Sequence, residues 1–257
     1  MATFLFDSIV FGPIKSRRLG VSLGVNLLPR NVKLCSFDCI YCECGLSKKG
    51  ETGRLPTREE VRASLMLQLS RMKAENKKLD VITFAGNGEP TLHHDFAGII
   101  DDTIELRNEY YPNVKISVLS NSTMVHKQSV FDALKKVDNN ILKLDSAIDS
   151  TVRLIDDPHP ADYSVASIIE QLKRFQGDFI LQTIFLRGYV NDHAVDNTTE
   201  EEVSAWIEAV KAMNPKEVMI YAIDRETPIR TLEKISREEL EKIAGRLRNE
   251  GYKVDVA

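Results

Sequence analysis

The chain has 257 residues, of which 34 are Lys or Arg and 38 are Asp or Glu, for a formal charge of -4; 43% are hydrophobic and 28% charged. That composition excludes intrinsic disorder and collagen-like structure and suits one large domain or two small ones. The acidic balance excludes bulk electrostatic attraction to nucleic acid, which needs a basic surplus, and leaves room only for a local basic patch.

At the N-terminus, Phe4-Leu5-Phe6 and Ile9-Val10-Phe11 are interrupted by Asp7 and Ser8. No apolar run reaches the roughly 20 residues that span a bilayer. No basic segment precedes these residues and no small-residue cleavage site follows them, so they read as a strand rather than a secretory signal. The expected location is cytoplasmic, with no membrane partner. A strand at 22–28 follows, closed by Pro29. Thr57-x-x-Glu60 is a capping box that opens a helix, with Val61, Leu65, Leu69 and Met72 on one face. Strands are predicted at 80–85, 115–119, 141–145, 179–184 and 217–222, with helices near 95–108, 127–136, 163–175 and 200–213. Thr199-x-x-Glu202 opens the last of these helices, and the run Glu200-Glu201-Glu202 suits a helix N-terminus. A final helix starts at the box Ser236-x-x-Glu239, and Gly251 separates it from a strand at 252–256.

No repeat, low-complexity stretch or linker divides the chain, which reads as one domain over 1–257 with its core at about 20–225. Strands alternating with helices predict an α/β fold with a parallel sheet. Six βα units are too few for a full eight-stranded barrel, which leaves an open partial barrel or a doubly wound sheet. In either, the site falls at the carboxyl ends of the strands, where the loops after 28 and 85 lie.

The first of those loops carries all four cysteines, Cys35, Cys39, Cys42 and Cys44. Disulfide frameworks spread their cysteines to staple distant segments, and cytosolic thiols stay reduced, so four thiols in one loop point to a metal or a cluster. Structural zinc sites usually draw on two separated pairs, and this loop has neither a second pair nor a histidine. Zinc held by all four stays open, although Cys42-x-Cys44 is an awkward spacing for a tetrahedral cage. Three soft thiolates at Cys35, Cys39 and Cys42 fit a [4Fe–4S] cluster that keeps one iron open for a ligand better.

Cys35-Ser36-Phe37-Asp38-Cys39-Ile40-Tyr41-Cys42 resembles the CxxxCxxC signature of radical S-adenosylmethionine (SAM) enzymes, with an aromatic before the third cysteine. Asn87-Gly88-Glu89 resembles their Gly-Gly-Glu motif, with Asn87 in place of the first glycine, and the likeness covers about residues 10–230. The segments Gly12-Pro13-Ile14-Lys15-Ser16-Arg17-Arg18-Leu19-Gly20, Gly86-Asn87-Gly88-Glu89-Pro90-Thr91-Leu92-His93, Lys143-Leu144-Asp145 and Gln182-Thr183-Ile184-Phe185 resemble one group within that superfamily, distantly related to wyosine-forming tRNA enzymes. The resemblance implies a partial (βα)6 TIM-like barrel of parallel strands with short N- and C-terminal extensions. It implies that Cys35, Cys39 and Cys42 each bind one iron, while the amino and carboxylate groups of SAM chelate the fourth. An electron from a low-potential donor of flavodoxin or ferredoxin type then cleaves SAM to methionine and a 5′-deoxyadenosyl radical, which abstracts a substrate hydrogen. Gly88 and Glu89 match the motif that receives the methionine amino group, and Tyr41 matches the aromatic near the adenine. Asn87 puts the local backbone geometry at issue. Cys44 is then a bystander, or a resolving or relay thiol.

Other candidates come from the strand ends. Asn121, in Ser120-Asn121-Ser122-Thr123, faces the bound SAM or serves as a turn former. By the two-residue period, Lys143 and Asp145 point into the barrel and Leu142 and Leu144 away from it. A buried charge needs a partner, so the two pair with each other or meet a ligand. Asp145 is expected near the SAM ribose or methionine end, and Lys143 at the substrate or the SAM carboxylate. Gln182 suits a ribose hydroxyl, Tyr221 flanks the adenine or, the favoured reading, is core, and Pro90 stiffens its turn or is a plain loop residue. His93 and His94 read as capping or turn residues as readily as catalytic ones. Arg17, Arg18, Arg187, Arg225 and Arg230 lie just outside predicted strand ends. Arg17-Arg18 lead, Arg225 is second, and together they hint at an anionic substrate.

Three functions compete: a radical SAM enzyme acting on a small molecule or nucleotide, an activase of a glycyl-radical partner protein, and a zinc-stabilised binding module without redox chemistry. Wyosine-type chemistry and auxiliary-cluster sulfur insertion need a second cluster, and the chain has no cysteines outside the loop to bind one.

Overall fold

A computed structural model of the protein describes residues 4–16, 18–47, 50 and 52–257; Arg17, one of the two leading arginines, lies outside the described residues. In chain order the elements are β1 (Val10–Ser16), β2 (Gly20–Val25), α1 (Arg58–Ala74), β3 (Val81–Phe84), a 3-10 turn (Pro90–Leu92), α2 (Phe96–Tyr110), β4 (Lys115–Ser120), α3 (Gln128–Lys136), β5 (Asn139–Lys143), α4 (Asp149–Ile155), α5 (Val165–Lys173), β6 (Ile180–Val190), β7 (His193–Asp196), α6 (Glu200–Met213), β8 (Glu217–Ala222), β9 (Leu232–Lys234), α7 (Arg237–Asn249) and β10 (Val254–Val256). The N-terminal strand begins at Val10, so Phe4–Phe6 are irregular rather than extended pairing, and α4, β7 and β9 are additions to the predicted set.

The sheet runs β1-β2-β3-β4-β5-β6-β8-β10, with β1 antiparallel to β2 and every later pair on that path parallel. Strand order decides between the two architectures: a doubly wound sheet reverses direction at a switch point, whereas this one advances without reversal. The sheet is an open partial barrel, and the predicted C-terminal helix and strand, α7 and β10, extend it by one parallel strand. Beyond Phe185, β6 leaves the barrel and pairs with β7 and β9 as a small antiparallel extension. Among the described residues, no helix is long and apolar enough to cross a membrane.

Alternation along the strands makes two faces. Leu23, Ile82, Phe84, Val118, Leu142, Leu181 and Val218 point outward into a core shared with Val61, Leu65, Leu69 and Met72 of α1. Each buried side chain of this kind contributes about 1.5–3 kcal/mol. Ile141, Ile180 and Met219 point inward and meet Leu19 in a smaller cluster inside the barrel. The capping boxes at Thr57 and Ser236 both form. At α6, Thr199 accepts from the Glu202 backbone N–H, but the Glu202 carboxylate turns inward and accepts from Ser146 Oγ and Thr151 Oγ1. That buried bond set ties α6 to the β5–α4 connection.

Candidate functional site

The two motif loops meet where β2 and β3 end. Leu34 and Gly88 form a parallel bridge, in which Leu34 N–H donates to the Asn87 carbonyl at 2.9 Å and Glu89 N–H donates to the Leu34 carbonyl at 3.0 Å. Gly88 has φ +138°, and a Cβ there would lie 1.8 Å from the Leu34 carbonyl oxygen. Only glycine permits that approach. Asn87 spends its buried side chain on the N-terminal segment: Nδ2 donates to the carbonyls of Phe6 and Pro29 at 2.9 and 2.8 Å, and Oδ1 accepts from Phe6 N–H at 2.8 Å. The Glu89 carboxylate, 2% exposed, accepts from Thr91 N–H at 3.0 Å and from Asn121 N–H at 2.6 Å. It caps the 3-10 turn in which Pro90 is the first residue, and burial raises its pKa against those bonds.

The opposite flank of the cysteine loop is held by the α4–α5 connection. Phe37 bridges to Pro158, Asp38 N–H donates to the Asp156 carbonyl and Ile40 N–H to that of Ile155, both at 2.9 Å. The Asp38 carboxylate accepts from Lys33 Nζ at 2.9 Å and Ser47 N–H at 2.7 Å, with His159 Nε2 at 3.0 Å. Burial would raise the Asp38 pKa, but these partners, Lys33 foremost, hold it at about 2. Nothing in the sequence marked this clamp, since Ile155, Asp156, Pro158 and His159 lie more than a hundred residues from the loop they hold.

Donors are aimed at the sulfurs. Cys35 Sγ accepts from Phe37 N–H at 3.4 Å and faces Asn121 Nδ2 at 3.7 Å, while Cys39 Sγ accepts from Lys143 Nζ at 3.2 Å. Burial pushes the Cys35 thiol up to about 12 and that of Cys39 upward as well. Cys42 is drawn down to about 6 by its hydrogen bond with Cys44, against burial and with help from Lys33. Cys44 is pushed up as the partner in that bond, and its S–H donates to the Gly86 carbonyl at 3.3 Å. Thiols on one short loop, with N–H and ammonium donors directed at them, suit thiolate ligands of a cluster. Among the described residues no three Cys, His, Asp or Glu side chains stand around one point as a single ion requires; a cluster takes one iron per thiolate.

Lys143 and Asp145 pair as their strand period predicted, at 2.9 Å, and both are shielded from solvent. A third member, Asp156, also bonds Lys143 and was not foreseen. The hint was the spacing of Ile148, Val152 and Ile155, which makes α4 and delivers Asp156 at its end. Tyr41 donates its hydroxyl to Asp145 Oδ2, and Ile184 N–H donates to Oδ1 at 3.1 Å. Burial would lower the Lys143 pKa, but Asp145 and Asp156 hold it well above its ordinary value. Burial raises Asp156 to about 7, with Lys143 pulling the other way.

Inside the barrel lies a cavity of about 400 Å³, lined by Tyr41, Cys42 and Cys44 near the loop, by Ser22, Thr83, Gln182 and Tyr221 from the strands, and by Phe6 and Phe11 on the open side. Phe11 lies flat on Gly24, where a Cβ would come within 2.1 Å of its ring. Gln182 therefore reaches the site as expected, and Tyr221 both lines the cavity and packs against the cluster of Ile40, Ile155 and Ile184. Asn121 turns to the cysteine loop, donating to Ser36 Oγ at 2.8 Å, which is its turn-former alternative put to use against the site. Arg225 stands at the rim, paired with Glu43 at 2.6 Å. Arg187 is engaged by Glu239 at 2.7 Å, and Arg230 is exposed. The His93 ring is fixed by the Pro56 carbonyl and Asp95 N–H, and exposed His94 lies against Asp95, so both act as turn residues.

Residues 32–201 match the family model described as the Radical SAM superfamily. A UPF0026 protein of Helicobacter pylori is 31% identical over 238 residues, 90% of this chain and 71% of that protein. A Brachyspira hyodysenteriae protein named GTPase Obg is 32% identical over 236 residues, 91% of this chain; the chain spans only 32% of that relative's length. Among solved structures, a radical SAM methyltransferase from Sphaerobacter thermophilus aligns with TM-score 0.68 at 16% identity, covering 92% of this chain and 65% of that one. TYW1 with a lysine-pyruvate adduct bound aligns with TM-score 0.62 at 15% identity, covering 89% and 73%. At such identities the likeness is one of fold.

Proposed function

The chain belongs to the radical SAM superfamily and to the family of UPF0026 proteins, and from that we propose that it is an enzyme with one [4Fe–4S] cluster held by Cys35, Cys39 and Cys42. Members of the superfamily are enzymes that bind such a cluster and SAM. When bound, the two supply reductive cleavage of SAM to methionine and a 5′-deoxyadenosyl radical that takes a hydrogen atom from the substrate. The observation that carries this reading is the Leu34–Gly88 bridge, which joins the cysteine loop to the Gly-Glu loop at the mouth of the barrel cavity.

The chain's own residues divide the work. Lys143 sets a positive charge against the Cys39 sulfur, and Asp145 and Asp156 keep that ammonium in place. Glu89 holds the turn beneath the Gly-Glu loop, with Asn87 and Gly88 shaping its backbone, so that Gly86 lines the cavity beside Cys42 and Tyr41. Those backbone groups and Tyr41 would meet the methionine and adenine ends of SAM, and Gln182 its ribose side, while Asp145 holds the Tyr41 hydroxyl in place. Phe6, Phe11 and Leu19 wall the lumen against water. The electron comes from a low-potential protein of flavodoxin or ferredoxin type.

Anaerobic reconstitution tests the assignment. Four irons and sulfides per chain, about the content of one [4Fe–4S] cluster, should load on the native protein and on Cys44→Ala. Cys35→Ala, Cys39→Ala and Cys42→Ala should lose the cluster. Loss in Cys44→Ala, or zinc in place of iron, would refute the ligand set.

A further inference from the structure

Resting on that reading, we propose that the substrate is a small organic carboxylate with an apolar body, and that Arg18 binds its carboxylate. Just before β2, Leu19 packs with Ile141, Ile180 and Met219 inside the barrel. Next to it the Arg18 guanidinium lies over the Tyr221 ring, 4.6 Å from its centroid. Arg18 Nη1 is buried and has no hydrogen-bond partner among the described residues. Folded proteins rarely leave such a donor unmatched, least of all on a cation, and Arg18 is one of the residues that line the cavity. The ring covers one face of the guanidinium and leaves its edge for a ligand.

Charge selects the ligand class. Arg225, the other described arginine at the cavity, is already paired with Glu43, and Glu43 lines the same space. Ser22 and Thr83 are satisfied by each other at 2.8 Å. What remains beside Arg18 is the ring and hydroxyl of Tyr221, with the exposed Lys15 also lining the cavity. A phosphate dianion would bring two charges into a cavity that already holds the Glu43 carboxylate. A carboxylate brings one charge and a planar pair of oxygens that matches the guanidinium fork. Leu119, Ile141 and Met219 complete an apolar floor for the rest of the molecule.

The test uses the cluster-loaded protein with SAM present, hexanoate as probe, and hexanol and hexyl phosphate as matched comparisons, read by ligand-observed NMR. Hexanoate should bind saturably and more tightly than either comparison, and about tenfold more weakly to Arg18→Gln, the weight of one charge-assisted bond. Arg18→Lys should recover part of the loss. SAM affinity, read from the change SAM makes in the cluster EPR signal, should be the same in Arg18→Gln. Equal hexanoate binding in both proteins, no binding at all, or a preference for hexyl phosphate overturns the proposal. So does loss of SAM affinity in Arg18→Gln, which would give the arginine to the cofactor's own carboxylate. If Arg18→Gln does not fold, Tyr221→Leu removes the platform and must weaken hexanoate in the same direction. A native protein whose cluster never responds to SAM would instead sink the enzyme reading, and the hexanoate comparison without SAM then judges the arginine site alone.

Discussion

Lys143 places its ammonium 3.2 Å from the sulfur of Cys39 across 104 residues of chain. β5 ends at Lys143, so its side chain enters the barrel at the level of the cysteine loop, where Asp145 and Asp156 share its charge. A positive donor at a cluster sulfur favours the reduced state. Lys143→Met should therefore lower the cluster's reduction potential, measured by spectroelectrochemical titration; an unchanged potential would show the contact to be irrelevant to the cluster. The same variant strands two buried carboxylates and should cost about 3 kcal/mol or more of stability in urea.

A second expectation concerns pH. Burial raises the Asp156 carboxyl to about 7, from 3.8 in an ordinary environment. The native state thus holds this proton more tightly than the unfolded chain, and the associated stability is full below about pH 4 and is lost as pH rises through 7. The cluster-free protein should weaken between about pH 5 and 8. Asp156→Asn cannot titrate and should flatten that part of the profile in urea denaturation at each pH. A slope unchanged by the substitution would point to another group.

Gly88→Ala tests the junction of the loops. Its methyl would meet the Leu34 carbonyl at 1.8 Å in a left-handed backbone. The bridge must open, with a loss of more than about 2 kcal/mol and poor iron loading, both checked on one preparation. Native iron content in this variant would mean that the bridge is dispensable.

The clamp on the other flank depends on Asp38, whose carboxylate is ionised at every pH above about 2. Asp38→Asn keeps the shape but loses the charge facing Lys33 and His159. Iron should then leave faster to a chelator such as bipyridyl, followed by absorbance, while the far-UV circular dichroism stays native.

What could be read from the sequence was what is local or periodic. The boxes at Thr57 and Ser236 need only a three-residue return, and both form. Lys143 and Asp145 share a face by the strand period alone, and they pair. Asp156 was missed because its place depends on α4 turning back over the loop, and the partners of Asn87, Phe6 and Pro29, were not foreseen because they come from elsewhere in the chain. Tyr221 meets both of its readings, since it packs against a core cluster and also lines the cavity; a strand's period separates two faces without saying which one lines a lumen. The pairing of β6 with β7 and β9 is likewise non-local. Arg18 was legible as an arginine near a strand end, but its unmatched Nη1 appears only in the folded protein.

The most direct test of the radical SAM assignment is anaerobic. The reconstituted protein is reduced with dithionite, given SAM, and assayed for 5′-deoxyadenosine. The native protein should form it and Cys39→Ala should not. A protein that assembles no cluster and holds zinc instead would make the cysteine loop a structural element and end the enzyme reading.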